Sequence, residues 1–518
     1  MDKRTQILWI DDEVSILKPH ILFLEQKGYG VSTASNGNDA LDMIQKDDFD
    51  IIFLDENMPG LTGLETLVGI KDIKPSIPVV MITKSEEEQI MEEAIGSKIS
   101  DYLIKPVNPN QILLSLKKNL DDKRLIQQTT TSKYQSEFTR LGMEISPSLS
   151  WQEWIQLYKK IVYWELELDN SGDTGMDEIL AMQKDEANRV FSKMFTKNYV
   201  GWINDKGEDK PVFSHTLLKE KLLPLLQNEE KVFLIVIDNL RFDQWKMIQP
   251  AISDQFRVRD EGLYLSILPT ATQYARNSLF SGLLPTEMKK LFPQYWTDEE
   301  EETSKNQFES ELLGEFLKRR GLNIKYNYSK ILNLRAGRKY ADNIKSLKDN
   351  KLNVLVYNFV DMLSHSKTNM EVIKELASDE SAYRSITRSW FDHSPLAEVF
   401  SAAADMGATI LLTTDHGSIR VKNPVKILGD KQTNTNIRFK FGKNLNSDSK
   451  HVFEVRNPEE IFMPKPNIST SYMFCMADDY FVYPNNYNYY VNFFADSFQH
   501  GGISMEEVII PAITLQPR

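Results

Sequence analysis

The sequence predicts an α/β protein in which two regions of alternating strands and helices flank a purely helical region. In the first region, short apolar runs such as Ile51–Leu54 alternate with amphipathic stretches, the pattern of a doubly wound parallel sheet. In the middle region, apolar residues recur only at helical spacing, and from Val232 onward the alternation returns. We therefore expect three domains, which span residues 1–120, 121–228 and 229–518.

Composition and charge restrict the classes of function. The net charge of −13 disfavours non-specific binding to long nucleic acids but leaves a small nucleotide at a local metal site open. Cys475 is the single cysteine, which excludes an intrachain disulfide and fits a reducing compartment. The sequence lacks an apolar run of about 18 residues and a signal-peptide core. We therefore expect a cytoplasmic protein that does not associate with membranes.

The first region contains the elements of a parallel sheet in order. Ile7–Ile10 is strand-like, and Ser15–Lys27 has the apolar pattern of a helix. Ile51–Leu54 and Val79–Ile82 are apolar runs typical of buried strands, and Tyr102–Ile104 is the expected fifth strand.

Polar residues follow these strands at the edge where a parallel sheet binds its ligands. Phosphoryl transfer to a carboxylate needs an acceptor Asp, a divalent cation and groups that hold the phosphoryl oxygens. We expect Asp55 to be the acceptor, Lys105 to pair with the phosphoryl group and Thr83 to hydrogen-bond it. Carboxylate and carbonyl oxygens suit Mg²⁺. The predicted magnesium ligands are Asp12, Asp55, the carbonyl of Asn57 and, mainly through water, Asp11.

These residues resemble those of the receiver domain of bacterial response regulators. Residues 54–60, Leu-Asp-Glu-Asn-Met-Pro-Gly, are similar to the phosphorylation loop of that family, and Lys105-Pro106 is similar to its cis-peptide site. Tyr102 stands where the family places its aromatic switch residue. The resemblance implies a flavodoxin-like fold, phosphorylation at Asp55 and a sensor histidine kinase as partner. The alternative is a degenerate receiver that folds but is never phosphorylated.

The middle region has no strand-like run. Its helical spacing predicts a small helical bundle, joined to the last helix of the first region. An aromatic stripe that includes Trp151, Trp154 and Tyr158 is either a ligand site or core packing. Core packing is the better interpretation, because the spacing matches one face of an amphipathic helix.

Three buried-strand runs of the last region are each followed closely by an aspartate. The runs are Val232–Ile237, Val354–Phe359 and Thr409–Thr414, and the aspartates are Asp238, Asp361 and Asp415. Because the carboxyl ends of parallel strands meet at one edge of a sheet, we expect these carboxylates to lie together. His365 follows Asp361 by four residues, so a helix would place both side chains on one side.

The same edge is expected to collect further histidines and a hydroxyl group. His416 follows Asp415 directly, Gly417 permits a sharp turn, and His500 lies in a loop with two glycines. Thr272 precedes a helix-like segment, whose N-terminus favours an anion. Three Asp and three His supply six ligands for two zinc ions, which would activate a nucleophile and hold the leaving oxygen. Each motif alone is weak, but together they predict a metal site.

This constellation resembles the alkaline phosphatase superfamily. Residues 272–285 are similar to the nucleophile helix of its nucleotide pyrophosphatase/phosphodiesterase branch, and residues 237–243, Ile-Asp-Asn-Leu-Arg-Phe-Asp, are similar to its PglZ branch. No counterpart of the third, magnesium site of the phosphomonoesterases is evident, which favours diesters. The resemblance assigns Asp361, His365 and His500 to one zinc ion, Asp238, Asp415 and His416 to the other, and Thr272 as the metal-contacting nucleophile. Arg276, one turn further, is expected either to contact phosphate or to lie on the helix surface.

A receiver joined through helices to a PglZ domain resembles the PorX type of response regulator, which is associated with type IX secretion. The phosphodiesterase-like helix from Thr272 to Pro285 and the missing magnesium-site residues favour a zinc-dependent phosphodiesterase that acts on small linear or cyclic oligonucleotides. Phosphorylation is expected to shift a monomer–dimer equilibrium; the alternative is a constitutive dimer.

A second hypothesis is a catalytically silent module, whose metals only hold the fold and which acts through protein partners such as a sigma factor. The hydroxyl of Thr272 favours the enzyme, because a purely structural metal site does not need it. Direct DNA binding is the least favoured function, since no helix-turn-helix follows the first region.

Overall fold

The structure is a computed structural model, and the chain forms two compact units. One unit comprises residues 1–135 and 171–173, and the other comprises residues 136–170 and 174–518. Within the described part of the chain, no helix combines the length and the hydropathy that crossing a membrane requires. The residues described are 4–74, 77–83, 99–171, 174–205, 207, 210–228, 230–297, 306–358, 360, 379–429, 434–447 and 450–518, without the side chains of 120–129 and 174.

The first unit is built on a parallel sheet. Its strands are β1 Gln6–Ile10, β2 Gly30–Ala34, β3 Ile51–Asp55, β4 Val79–Thr83 and β5 Asp101–Ile104, in the spatial order β2-β1-β3-β4-β5. Apolar side chains form two separate core clusters, as expected for a sheet that helices cover on both faces. The helices described are α1 Lys18–Gln26, α2 Gly37–Lys46, α3 Gly63–Ile73 and α4 Pro109–Glu144, the last of which ends among residues of the second unit.

Two long helices, α5 Trp151–Ser171 and α6 Thr174–Asn204, follow α4 along the chain. The aromatic side chains of Trp154 and Tyr158 are buried, and the Trp154 ring meets the ring of Phe191 edge-on with centroids 5.5 Å apart. The aromatic stripe is therefore core packing, as predicted. The predicted domain boundary at residue 120 falls inside α4.

Helix α6 is hydrogen-bonded to the segment that follows His500. The side-chain amide of Asn188 donates to Glu506 Oε2 at 3.0 Å, and the hydroxyl of Ser192 donates to the carbonyl oxygen of Ile503 at 2.8 Å. These side chains are buried. The linker helices and the C-terminal domain are thus parts of one folded unit.

The C-terminal domain is built on a mixed sheet with parallel strands at its centre. The described strands are β6 Val232–Ile237, β7 Phe256–Leu265, β8 Tyr326–Ile331, β9 Leu352–Tyr357, β10 Thr409–Thr413, β11 Ile419–Arg420, β12 Asn423–Lys426, β13 Phe439–Gly442, β14 Val452–Val455, β15 Ser471–Cys475, β16 Asp479–Val482, β17 Phe498–Gln499 and β18 Ile509–Pro517. The main sheet has the order β7-β18-β10-β6-β9-β8. Strands β10, β6, β9 and β8 are parallel, and β18 is antiparallel to both of its neighbours. Smaller sheets pair β11 with β17, β12 with β16, and β15 with β13 and β14.

An extensive apolar cluster packs against the main sheet. Helices connect the strands of the C-terminal domain. They are α7 Ser214–Leu217, a π-helix Leu218–Leu222, α8 Leu223–Gln227, α9 Phe242–Ile248, α10 Thr272–Ser281, α11 Pro285–Leu291, α12 Glu309–Arg319, α13 Leu334–Asn343, α14 Glu380–His393, α15 Pro395–Asp405, α16 Tyr487–Phe494 and α17 Met505–Val508. The predicted α/β class with a helical linker is confirmed.

Three elements differ from the prediction by two residues or more at one end. Helix α1 begins at Lys18 rather than at Ser15, because the preceding residues form a turn. Strand β9 begins two residues early, since the buried Asn353 is accommodated by a hydrogen bond from Asn350 at 3.0 Å. Helix α10 ends at Ser281, because Gly282 adopts a left-handed conformation with φ of 63°.

Candidate active site of the C-terminal domain

Two carboxylates and an imidazole meet at the carboxyl edge of the main sheet. Asp238 directly follows β6, and Asp415 and His416 follow the neighbouring strand β10. All three side chains are fully buried, and one ligand atom of each lies within 4.8 Å of the others. Gly417 is required because helix α17 approaches closely: a Cβ at this position would lie 2.0 Å from the carbonyl oxygen of Glu506.

The contacts of His416 fix which of its ring nitrogens faces the cluster. Its Nδ1 lies 3.1 Å from the carbonyl oxygen of Gly417, and this contact requires Nδ1 to carry the proton. In the neutral ring, Nε2 then presents its lone pair toward Thr272 and Asp238. A histidine held through its other nitrogen by a carbonyl is typical of metal ligands. This donor set of two carboxylates and an imidazole fits zinc.

The hydroxyl of Thr272 lies at this cluster. Its Oγ1 is 3.0 Å from His416 Nε2 and 3.4 Å from Asp238 Oδ1. Thr272 is the first residue of α10, so it lies at the end of the helix whose partial positive charge favours an anion. The structure therefore brings together a hydroxyl, a potential metal site and groups that favour an anion.

His500 joins the cluster from the loop after β17. Its ring stacks on His416 with centroids 4.2 Å apart, and its Nδ1 lies 3.2 Å from the carbonyl oxygen of Thr270. The same argument leaves Nε2 as the ligand atom. Asp361 and His365, the other two predicted ligands of this metal ion, lie outside the described residues.

Arg276 is buried behind the carboxylates, so the expectation of a helix-surface arginine is wrong, whereas contact with phosphate stays a prediction. Its Nη1 lies 2.9 Å from Asp238 Oδ2, and its Nε lies 2.8 Å from Glu309 Oε1 and 3.8 Å from Asp415 Oδ2. Burial disfavours the charge of the guanidinium, but the carboxylates of Asp238 and Glu309 outweigh it and raise its pKa well above the usual value. Arg276 is a fixed cation that neutralises the site from within the protein.

Glu309 links this cation to a second layer of polar groups. Its carboxylate accepts a hydrogen bond from the hydroxyl of Tyr328 and lies 3.3 Å from the ammonium of Lys330. Sequence patterns gave no sign of this residue, because Glu309 begins α12 and follows no strand.

The carboxylates of the first unit also converge. Ligand oxygens of Asp11, Asp12 and Asp55 lie within 4.8 Å of one another, a donor set that suits Mg²⁺. Lys105 Nζ lies 2.9 Å from Asp55 Oδ1 and 3.0 Å from Asp11 Oδ2. Burial raises the pKa of Asp55, and hydrogen bonds to Asp55 and Asp11 overcome burial and raise the pKa of Lys105.

The structure also describes the other predicted residues of this site. Asn57, two residues after Asp55, is exposed, and the Lys105–Pro106 peptide is cis. Thr83 donates its hydroxyl to Glu56, a contact that the sequence did not indicate. The side chain of Tyr102 is 42% exposed, so it points away from the core.

Three family models match successive parts of the chain. The response regulator receiver domain matches residues 7–117, the PorX response regulator linker domain matches residues 124–203, and the BREX system PglZ alkaline phosphatase-like domain matches residues 217–515. Receiver domains bind Mg²⁺ and take their phosphoryl group from a phosphodonor such as a histidine kinase, and alkaline-phosphatase-like domains bind metal ions.

Curated relatives match the receiver region. The transcriptional regulatory protein ZraR of Klebsiella oxytoca is 34% identical over 140 residues, which are 27% of this chain and 32% of ZraR. ResD of Bacillus subtilis is 33% identical over 113 residues, which are 22% of this chain and 47% of ResD. The chain thus spans less than half the length of these relatives.

Among solved structures, the chemotaxis protein CheY4 of Vibrio cholerae is 32% identical and matches over its whole length and 23% of this chain, with a TM-score of 0.22. The classification rests instead on the family models. The receiver, linker and PglZ matches follow one another in the order of a PorX-type response regulator, and the PglZ match alone covers more than half of the 518 residues. The chain therefore belongs to the PglZ family of alkaline-phosphatase-like proteins, as a response regulator of the PorX type.

Proposed function

We propose that this response regulator is a zinc-dependent phosphodiesterase, which cleaves small oligonucleotides and is controlled by phosphorylation at Asp55. The observation that carries the proposal is the position of the Thr272 hydroxyl, 3.0 Å from His416 Nε2 and next to Asp238. A hydroxyl placed at a potential metal site on a helix N-terminus is suited to attack phosphorus.

The residues of the site have distinct roles in this proposal. Asp238, Asp415 and His416 hold one zinc ion, and His500 contributes to a second together with Asp361 and His365. Zinc supplies positive charge that lowers the pKa of a nearby hydroxyl and stabilises the charge that develops on phosphate oxygens. Thr272 provides the nucleophilic oxygen, and the N–H groups of the first turn of α10 face the incoming phosphate.

A diester is the preferred substrate class for two reasons. The helix from Thr272 is similar to that of nucleotide phosphodiesterases, and no magnesium-site residues of the phosphomonoesterases are recognised. Arg276 adds support, because its guanidinium already neutralises the Asp238 oxygen that faces away from Thr272. The guanidinium carries a single charge that is part of the protein, whereas a third metal site would hold an exchangeable divalent ion.

The decisive experiment compares hydrolysis of a diester and a monoester. Purified protein with zinc should cleave bis(p-nitrophenyl) phosphate at least about tenfold faster, in kcat/KM, than p-nitrophenyl phosphate. EDTA should abolish both reactions, and metal analysis should find about one to two zinc ions per chain. A protein that retains zinc but cleaves neither ester would instead support the catalytically silent module that acts through partners such as a sigma factor.

We further propose that phosphorylation controls association of two chains. A phosphoryl group on Asp55 would draw Lys105 from its present contacts with Asp55 and Asp11, and it would draw Thr83 from Glu56. Tyr102, now exposed, would turn inward behind Thr83. These changes remodel a receiver face that can pair with its counterpart in a second chain. The link to type IX secretion rests on the PorX-type architecture.

Beryllofluoride, a mimic of the phosphoryl group, is therefore expected to shift the protein from monomer to dimer. A tenfold change in the dimerisation constant requires only about 1.4 kcal/mol, which one or two charge-assisted hydrogen bonds can supply. Sedimentation velocity at micromolar protein measures the shift, and Asp55→Ala should not respond. An unchanged mass together with unchanged diester hydrolysis would contradict the switch.

A further inference from the structure

A cavity lined by aromatic and polar side chains lies among the small sheets of the C-terminal domain. It has a volume of about 640 Å³, and we call it the Lys440 pocket. Residues of the segment 434–437 and of α16 line it. The residues that define it are Asn434, Lys440, Phe481, Tyr483, Tyr490 and Phe494.

Lys440 is a buried cation without a carboxylate partner among the residues that the structure describes. Lys440 is only 3% exposed, and its ammonium donates to the carbonyl oxygen of Asn434 at 2.7 Å. The ammonium also lies over the ring of Tyr483, 5.0 Å from the centroid. These two contacts leave the positive charge unneutralised.

The other buried cations of the described residues contrast with Lys440. Each of them contacts a carboxylate: Lys184 contacts Glu165 and Glu506, Arg241 contacts Asp243, Arg276 contacts Asp238 and Glu309, Arg384 contacts Asp243, and Arg438 contacts Glu507. Burying an unpaired charge costs free energy, so buried charges in proteins are usually paired with an opposite charge. A lysine that lines a cavity and lacks a counter-charge is suited to bind an anion.

The electrostatics of the pocket agree with this interpretation. Burial lowers the pKa of Lys440 to about 8, so the ammonium is still mostly protonated at neutral pH. Among the described residues, the titratable groups near it are the Cys475 thiol and the Tyr483 phenol, and the Tyr490 phenol lines the same pocket. Burial raises the pKa of Cys475 well above its usual value, so the thiol stays neutral and supplies no counter-charge.

The walls of the pocket indicate the rest of the ligand. Phe481, Tyr483, Tyr490 and Phe494 offer aromatic surface, and Asn485 offers an amide group. Aromatic rings beside a cation are the usual means of binding a base and its phosphate without reading a duplex. The volume is sufficient for one nucleotide. We propose that the Lys440 pocket binds a nucleotide, with its phosphate at Lys440 and its base against the aromatic rings.

The pocket shares a loop with the candidate active site. Asn436, two residues after Asn434, donates its side-chain amide to the carbonyl oxygen of His500 at 3.1 Å. The bound nucleotide can therefore be a distal part of the diester substrate. This possibility rests on the proposed function. A free mononucleotide has the same chemistry and would act on His500 through this loop.

Calorimetric titration of the full, EDTA-treated chain with 5′-AMP tests the pocket without requiring turnover. Lys440→Met should weaken binding at least tenfold, whereas the control Lys450→Met, an exposed lysine of the same domain, should not. Binding to the unmodified chain should also fall about tenfold between pH 7 and pH 9.5, because Lys440 loses its proton while the phosphate, with a second pKa of about 6, stays ionised. Adenosine should bind at least tenfold more weakly than 5′-AMP.

Failure of the inference and failure of the proposed function are distinguishable. Equal 5′-AMP affinity of the parent and Lys440→Met, or no binding at millimolar concentration, overturns the pocket whatever the hydrolytic activity. Binding that depends on Lys440 in a chain that cleaves no diester upholds the pocket and removes the proposed function. If the chain cleaves a trinucleotide, a tenfold higher KM for Lys440→Met shows that the pocket binds a nucleotide of the substrate. An unchanged KM shows that the pocket binds a free nucleotide.

Discussion

Replacing Thr272 with alanine is expected to lower diester turnover by at least about a thousandfold, while zinc content stays near that of the parent. The hydroxyl lies 3.0 Å from His416 Nε2, and its removal deletes the attacking atom but none of the charged ligands. Only binding and electrostatic stabilisation of the phosphate would then remain. The measurement is kcat with saturating bis(p-nitrophenyl) phosphate.

Two further variants separate loss of the nucleophile from a general disturbance. Thr272→Ser keeps a hydroxyl and should recover a substantial part of the rate. Thr286→Ala makes the same change in the first turn of the neighbouring helix α11 and should turn over like the parent. If Thr272→Ala cleaves the diester as fast as the parent, another group attacks phosphorus.

A large loss of stability is expected when Arg276 is replaced by glutamine. The guanidinium is buried between Asp238 and Glu309, and its removal leaves two buried carboxylates without their shared counter-ion. Breaking a buried ion pair by removing one partner costs about 3–5 kcal/mol. Urea unfolding of the EDTA-treated chain should therefore show a free energy of unfolding lowered by about this amount.

Zinc provides an independent readout of the same role. Because zinc neutralises Asp238 as well, the difference between Arg276→Gln and the parent should be smaller after zinc loading. The matched control is Arg335→Gln on α13, where the arginine is exposed and the expected change is within about 0.5 kcal/mol. A loss below about 1 kcal/mol in the metal-free chain would show that Arg276 does not neutralise the site.

The sequence predicted the parts of the site that follow strands. Asp238 and Asp415 were recognisable because apolar strands end one or two residues before them, and parallel strands place such residues at one edge. His416 could be added because it adjoins Asp415. The receiver fold was equally predictable, since its strands are short, apolar and separated by amphipathic helices.

Arg276 and Glu309 could not be placed in this way. A single helical arginine is compatible with solvent, phosphate or an ion pair, and the choice depends on Glu309, which lies 33 residues further along the chain. Likewise, the contact between Thr83 and Glu56 joins two different strand ends, and no local pattern encodes it. Buried ion pairs between distant segments are determined by packing, which periodicity does not reveal.

The hydrogen bonds that Asn188 and Ser192 of α6 make to residues 503–506 have a practical consequence. A fragment that starts at residue 217, where the PglZ match begins, would lack both side chains and would leave the Glu506 carboxylate and the Ile503 carbonyl without these donors. It would also expose the apolar faces that α5 and α6 now cover. The shortest fragment that folds autonomously with the PglZ domain is therefore expected to begin near residue 136, where the second unit starts, rather than at the family boundary.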